Sequence, residues 1–476
     1  MSTSPTHSYE DKEKIPESPT VLDSEDISPD DAIVKRFGFL GPALAKLFAS
    51  GVEARGVERV PEDQRDGRNM WNNLLMWCHA LATILCFAAV GAVATSFIAT
   101  LGPRTGLRTM IITRYSSGYF GCTDLFHPEH TYAVRFSVTA VILGGQTLAS
   151  INPGTLPLTA GVVIVGIGSL IPCFIGYNMV HHYERYAWMV IFIVMLFLLG
   201  LGGHAGFDIN AQKQFEDTGK ALSSDILSFG GIVFGSVAGW APVAADYNCR
   251  LPADTPPVKI FTLTFFGLFI PITFCEIVGA LLMTITNEAF SLPGKAEANL
   301  SSFLLAFSVI ANNVPNTYSA ALSIQALGRP FAKIPRFFWT LIIFIAYTVA
   351  GVAGREHFSE ILSNFLAILS YWTAFFIVIV AEEHFLFRRP GGPLGGYNLD
   401  DWDKPSRLPL GIAGVLAGCF GVVGAVVGMA EVWYIGPLGV KAGAAFGADL
   451  GFELAAAFAG VTYPVFRWLE IRYTGR

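Results

Sequence analysis

From about residue 136 onward, apolar runs of roughly the length that crosses a hydrocarbon core recur between short polar loops. They predict helices over 136–151, 158–180, 188–203, 226–245, 260–285, 303–327, 337–352, 361–380, 410–432 and 444–466. The first is short for a crossing unless 132–135 extends it, with Arg135 snorkelling to the surface. An earlier run, 74–101, is apolar throughout but has basic flanks on both sides: Lys46, Arg55, Arg59, Arg65 and Arg68 before it, Arg104, Arg108 and Arg114 after it. One crossing cannot put both flanks on one face, and the run is too short for a two-helix hairpin, so part of this region is expected to be missing, re-entrant or misassigned.

The loops assign sides. Lys and Arg concentrate in 181–185, 250–259, 329–336, 388–407 and the tail from Arg467, which places those loops and both termini in the cytoplasm. Residues 1–70 are expected to form a cytosolic tail, disordered where Ser, Pro, Asp and Glu dominate up to about Asp31. Residues 71–467 then form one polytopic transmembrane domain and 468–476 a cytosolic C-terminal tail.

Composition agrees with a lipid-bilayer environment. The chain is 53% hydrophobic and only 14% charged, too few charges for a soluble domain, and its 49 Gly and 38 Phe suit close helix contacts and lipid-facing surface. The net charge of -6 comes largely from the N-terminal tail, and no basic patch points to a nucleic-acid partner. Cys78, Cys86, Cys122, Cys173, Cys249, Cys275 and Cys419 are scattered, so neither a disulfide framework nor a metal site is expected. No nucleotide-binding loop or catalytic constellation is present; no cofactor or enzymatic activity is expected, and secondary transport is the default.

Two segments carry candidate chemistry. The Gly- and Ser-rich run 228–240 is easily broken, and a broken helix exposes backbone groups at mid-membrane. Gly239-Trp240 would put a flat indole beside the break, although close packing with an interfacial Trp explains the same pattern. In the second segment, Asn312-Asn313-Val314-Pro315-Asn316 sets three amides around a proline inside a span. Pro315 frees a carbonyl, and amides offer the donors and acceptors that read a heterocycle's edge. Asn316 is the candidate ligand and Asn312 and Asn313 its support, helix-to-helix bonding being the alternative. Asn364 is a weaker candidate. Asp449 with Glu453, and Glu382, Glu383 and His384, are expected to be solvated groups at membrane faces.

These motifs, with Ala244-Ala245-Asp246-Tyr247, Gly144-Gly145-Gln146, Tyr183-Glu184-Arg185, 102–108 and 447–454, resemble the fungal purine-cytosine permease branch of the nucleobase:cation symporter family from about Trp71 to the C-terminus. The resemblance implies an all-α LeuT-type inverted-repeat bundle of 12 helices, about 11 of them discernible here, and proton-coupled uptake of purine bases or cytosine at the plasma membrane. It implies that Trp240 stacks on the substrate, with Gly239 beside it, that Asn316 and Asn364 hydrogen-bond it, and that Gln146 supports the site. The family's third helix carries a Trp and an Asn, where this chain has Phe136 and Ala140, so a stacking face survives and an amide is lost. The family pattern also has two helices between the positions of Trp71 and Gly102, where this chain has room for one. A vitamin, a nucleoside or an amino acid remains open as the solute, as does a sensor that binds without transporting.

Overall fold

A computed structural model describes residues 85–119, 128–151, 154–175, 177–206, 220–283, 285, 296–356, 358–431, 433–443 and 447–476. The tail 1–70, and 74–84 of the first apolar run, lie outside the described residues. The chain enters through α1 (Leu85–Thr105), two single turns α2 (Thr109–Ile112) and α3 (Arg114–Ser117), then α4 (Pro128–Ile151), α5 (Leu158–Ile175), α6 (Tyr177–Ala205) and α7 (Lys220–Ala238). Turns run from the end of α7 to Arg250, and α8 (Pro257–Met283), α9 (Ala296–Ala326), α10 (Arg329–Ala332) and α11 (Arg336–Gly354) follow. The last part comprises α12 (Phe358–Glu382) with a π-turn (Glu383–Phe387), α13 (Ile412–Gly428), a hairpin of β1 (Ala430–Glu431) and β2 (Tyr434–Ile435), α14 (Pro437–Ala442) and α15 (Gly451–Thr474).

Eleven of the described helices have seventeen residues or more, and eight are long and apolar enough to cross a bilayer. The spans expected from hydropathy are present with shifted ends. The 136–151 run gains two turns at its start, and Arg135 is exposed there. The 226–245 run ends early, at Ala238, because Pro242 has no N–H for the carbonyl of Ala238 and Gly239 favours termination. The last span begins at Gly451 and not at 444, because 447–450 is irregular chain that bonds instead to Gly439 of α14 and Gly428 at the end of α13.

The helices pack into two bodies with separate apolar cores. One core unites α4, α5, α9 and α11 through residues such as Val141, Val165, Val314 and Tyr347. The other unites α1, α7, α8, α12, α13 and α15, with Ala92, Val237, Phe376, Ala417 and Ala459 inside it. Small residues allow the closest crossings within each body. A Cβ on Gly145 would lie 2.7 Å from the backbone nitrogen of Val162, and one on Gly424 would lie 2.3 Å from the carbonyl oxygen of Leu454. Lipid tails are as apolar as the side chains, so such packing holds the helices where the hydrophobic effect gives no net drive.

The basic loops gather at one end. There Glu383, 1% exposed, accepts hydrogen bonds from Arg388 (2.7 Å), Arg467 (3.0 Å) and the Tyr463 hydroxyl (2.9 Å), while Arg467 also reaches Glu470 (3.2 Å). This corrects the expectation of a solvated Glu383: the π-turn rolls its carboxylate inward, between α15 and the α12–α13 connection. His384 is likewise engaged, stacked near Tyr397 with their rings 5.9 Å apart. The acids at the start of α15 need the same correction. Asp449 is buried and shares the Tyr371 hydroxyl (2.5 Å) with Glu431 of the hairpin (2.9 Å), because the hairpin lies against the middle of α12.

Two stability outcomes follow from these contacts. Glu383→Gln takes the carboxylate from the buried Arg388 and leaves Arg467 with Glu470 alone, and is expected to cost about 3–5 kcal/mol, seen as a lower melting temperature of detergent-purified protein. Gly424→Val forces a side chain into a backbone carbonyl and is expected to abolish the monodisperse peak in fluorescence-detected size-exclusion chromatography.

Candidate functional site

Where α7 stops, the backbone between Gly239 and Arg250 passes through short turns inside the protein. Its polar groups are satisfied locally or by neighbours. Thr109 donates its backbone N–H to Asp246 Oδ1 (2.9 Å), its hydroxyl accepts from the Ala245 N–H (3.0 Å), and the Asn248 amide donates to the Ala244 carbonyl (3.0 Å). Gly102 on α1 makes this possible, since a Cβ there would meet the Ala245 carbonyl oxygen at 2.8 Å. The break thus comes from Gly239 and Pro242, and the surroundings that tolerate it come from α1 and α2.

At the break lies a cavity of about 260 Å³ between the two bodies. The α4 wall presents Phe136, Thr139, Ala140 and Leu143, and the α9 wall Ser308, Val309 and Asn312. From the other body come Ser236 and Trp240 at the end of α7, and Phe358 and Leu362 from the first turns of α12. Phe136 is held edge-on by Phe365, with ring centroids 4.9 Å apart, and its edge lies 3.5 Å from where a Cβ on Gly239 would be. Three aromatic side chains, one amide and three hydroxyls around a space for one ring system suit a small flat polar solute.

Among the candidates, Trp240, Phe136 and Asn312 share this cavity, with Gly239 at its edge. Asn316 is not on its wall: it is 7% exposed, and its amide donates to the Asn312 carbonyl (3.2 Å), so it orders the turn that carries Asn312. Of these two amides, Asn312 lines the cavity and Asn316 is bonded to the backbone behind it. Asn313 is fully buried within the α4–α5–α9–α11 body, and Pro315 is built into an α9 that continues through it. Gln146 lies outside the cavity wall. The backbone of Asn364 belongs to α12, but its side chain lies outside the described residues. Ser236 and Ser308 were not anticipated; each stands four residues before a candidate, Trp240 and Asn312, on the same helical face.

On the far side of Trp240 from Phe358, toward the basic loops, polar contacts tie the two bodies together. The Tyr247 hydroxyl lies 3.1 Å from both the Pro315 carbonyl and the Ser319 hydroxyl. Arg108 reaches the Tyr318 hydroxyl (3.5 Å), while Arg336 covers the Tyr318 ring at 4.8 Å. Asp246 lies 4.0 Å from Arg108. Burial raises the Asp246 carboxyl to about 6, against the opposing pull of Arg108 and the hydrogen bonds from Thr109.

Comparison with known proteins fits this arrangement. The profile of the family described as permease for cytosine/purines, uracil, thiamine, allantoin matches residues 72–445. The purine-cytosine permease fcyB of Emericella nidulans is 32% identical, across 98% of this chain and 99% of that protein. The purine-cytosine permease FCY2 of Saccharomyces cerevisiae is 32% identical (90% and 89% covered), and the vitamin B6 transporter TPN1 of that yeast is 29% identical (98% and 93%). The fcyB alignment spans 514 positions although this chain has 476 residues, so the relative carries residues that this chain lacks. In fold, the chain is similar to MHP1, a nucleobase-cation-symport-1 family transporter in a closed conformation with bromovinylhydantoin bound, at TM-score 0.63 and 12% identity over 89% of this chain and 96% of that one. The LeuT-type bundle expected from the sequence is therefore present, in a multi-pass membrane protein. By sequence, the chain belongs to the family of permeases for cytosine/purines, uracil, thiamine and allantoin.

Proposed function

We propose that this permease imports purine bases or cytosine, or a related heterocycle, together with protons by alternating access at the plasma membrane, with both termini cytoplasmic. The observation that carries the reading is the position of the cavity: Trp240 of one body and Phe136, which α4 of the other body packs against it, line one space at a broken helix. A solute bound there touches both bodies and can report its presence to each. Trp240 supplies the stacking face, Phe136 a second aromatic wall, and Asn312 the amide that reads the ring edge, with Asn316 supporting it. The relatives named for purines and cytosine support this substrate class, and the basic loops gathered beyond Trp240 support the orientation.

In this arrangement the cavity extends from Trp240 toward Phe358 and Leu362, away from the basic loops. The Tyr247, Arg108 and Tyr318 contacts close the cytoplasmic side. Import requires them to part while the bodies come together at the other end. Binding energy for the solute, realised in both arrangements, keeps the intermediate closed state accessible.

In transporter-null yeast expressing the chain, radiolabelled cytosine, adenine or hypoxanthine should accumulate faster at lower external pH. Trp240→Ala should abolish the uptake, and Asn312→Ala should reduce it at least about tenfold, the scale of one lost hydrogen bond to a buried ligand. No uptake despite surface expression would overturn the reading.

Tyr247→Phe removes the hydroxyl that joins the bodies. It is expected to speed maleimide labelling of a cysteine at Ser236 from the cytoplasmic side in inside-out vesicles. The same assay reads Asp246: its carboxyl is raised to about 6, so the attraction to Arg108 is present above that pH and is lost as pH falls through it. Labelling should therefore rise between pH 7 and pH 5, and Asp246→Asn should label fast at both.

A further inference from the structure

Arg336, the first residue of α11, is fully buried, and no carboxylate among the described residues lies within ion-pair distance of it. Its guanidinium is held on one side only. Nη1 donates to the Cys173 carbonyl near the end of α5 (2.7 Å) and to the Thr340 hydroxyl (3.4 Å), and the group lies over the Tyr318 ring, 4.8 Å from its centroid. Nε and Nη2 have no hydrogen-bond partner among the described residues. These two nitrogens form one edge of the planar group, with their N–H bonds side by side. That edge is the fork that takes two oxygens of a single phosphate or carboxylate. A buried donor without an acceptor is costly, and a buried guanidinium without a counter-charge more so.

The surroundings favour an anion over a neutral partner. Arg336 opens a helix, so the positive end of the α11 dipole lies at its backbone. Arg108 stands over the same tyrosine, 5.7 Å from the ring centroid, and its charge is felt at Arg336. Arg250 is within electrostatic reach of Tyr318 and Arg336 as well. Asp246 offsets part of this field, but it stands 4.0 Å from Arg108 and forms no pair with Arg336. The cluster also straddles the boundary between the bodies. Tyr318 belongs to the core of α4, α5, α9 and α11, and the residues on either side of Arg108, Leu107 and Met110, belong to the other core.

We propose that Arg336, with Arg108 and Arg250 beside it, forms a binding site for a phosphate-class oxyanion at this boundary, and that the bound anion holds the cytoplasmic side closed. The binding itself is independent of the transported solute, whereas its effect on closure rests on the alternating-access reading given above. The Nε–Nη2 edge of Arg336 takes two of the oxygens. The negative charge then relieves the repulsion between Arg336 of one body and Arg108 of the other, which favours the arrangement that keeps them together. The anion exchanges when the bodies part.

The test is equilibrium binding of radiolabelled orthophosphate to the purified full-length chain, without nucleobase and at fixed ionic strength. One saturable site per chain is expected. Competition separates two sources of the same chemistry: displacement of the label by short-chain phosphatidic acid at far lower concentration than by free phosphate marks a lipid headgroup, and the reverse marks a soluble oxyanion. Arg336→Lys keeps the charge but has no fork, and should weaken binding at least about tenfold, the scale of one lost charge-assisted hydrogen bond. Arg250→Gln leaves the fork intact and should weaken it less. In inside-out vesicles, phosphate should slow maleimide labelling of Ser236→Cys, and this slowing should disappear when Arg336→Lys is added. Absence of saturable binding to monodisperse protein, or equal affinity in Arg336→Lys, overturns the site and leaves the transport reading standing. Should Arg336→Lys fail to fold, an Arg250→Gln affinity equal to that of the unmodified chain overturns it instead. Binding that leaves the labelling rate unchanged overturns the effect on closure.

Discussion

An interrupted backbone inside an apolar bundle is the constraint on which the rest of this structure depends. Hydrocarbon offers no partner for a free N–H or C=O, so the turns between Gly239 and Arg250 persist only because protein groups satisfy them. Thr109, Asn248 and the close approach allowed by Gly102 do so. Because the turn is satisfied on the side toward Arg108 and Arg250, Trp240 can stand at the end of α7, where a continuous helix would have carried it into packing. The cavity, its polarity and the contacts that close it all follow from where this break falls.

The charged groups obey the same constraint at the membrane's edges. Glu383 with Arg388 and Arg467, and Asp246 with Arg108, are buried in places that hydropathy reads as loops or span ends. In each case a carboxylate is brought inward by irregular backbone, a π-turn in one and the α7 break in the other. Specific geometry at these positions ties helices that lipid alone would leave free to slide.

Much of this was readable in the chain. The spans were visible as apolar runs, and the Gly- and Ser-rich stretch up to Gly239-Trp240 announced the broken helix, while Pro242, which helps to end it, went unmarked. The Asn cluster also pointed to α9, but which amide faces the cavity is a matter of helical phase, set by packing on α4 and α5, and it fell to Asn312. Burial of Glu383 and Asp449 was hidden because local sequence shows a charged residue near a span end and not the π-turn or hairpin that covers it. Ser236 and Ser308 were hidden among many hydroxyls that bond only to their own helices, and the family resemblance had no marked role for them.

The two apolar cores have a consequence for how the chain is made. Neither body is contiguous: α4 and α5 belong with α9 and α11, while α1, α7 and α8 belong with α12, α13 and α15. Helices leave the ribosome in chain order, so α4 and α5 must wait in the bilayer until α11 has been synthesised before their core can close. The α7 break waits longer still, since the body that holds it is finished only when α15 arrives. Its polar groups do not wait with it: Thr109 and Asn248 precede or belong to the break, so the turn is satisfied in lipid well before its body closes.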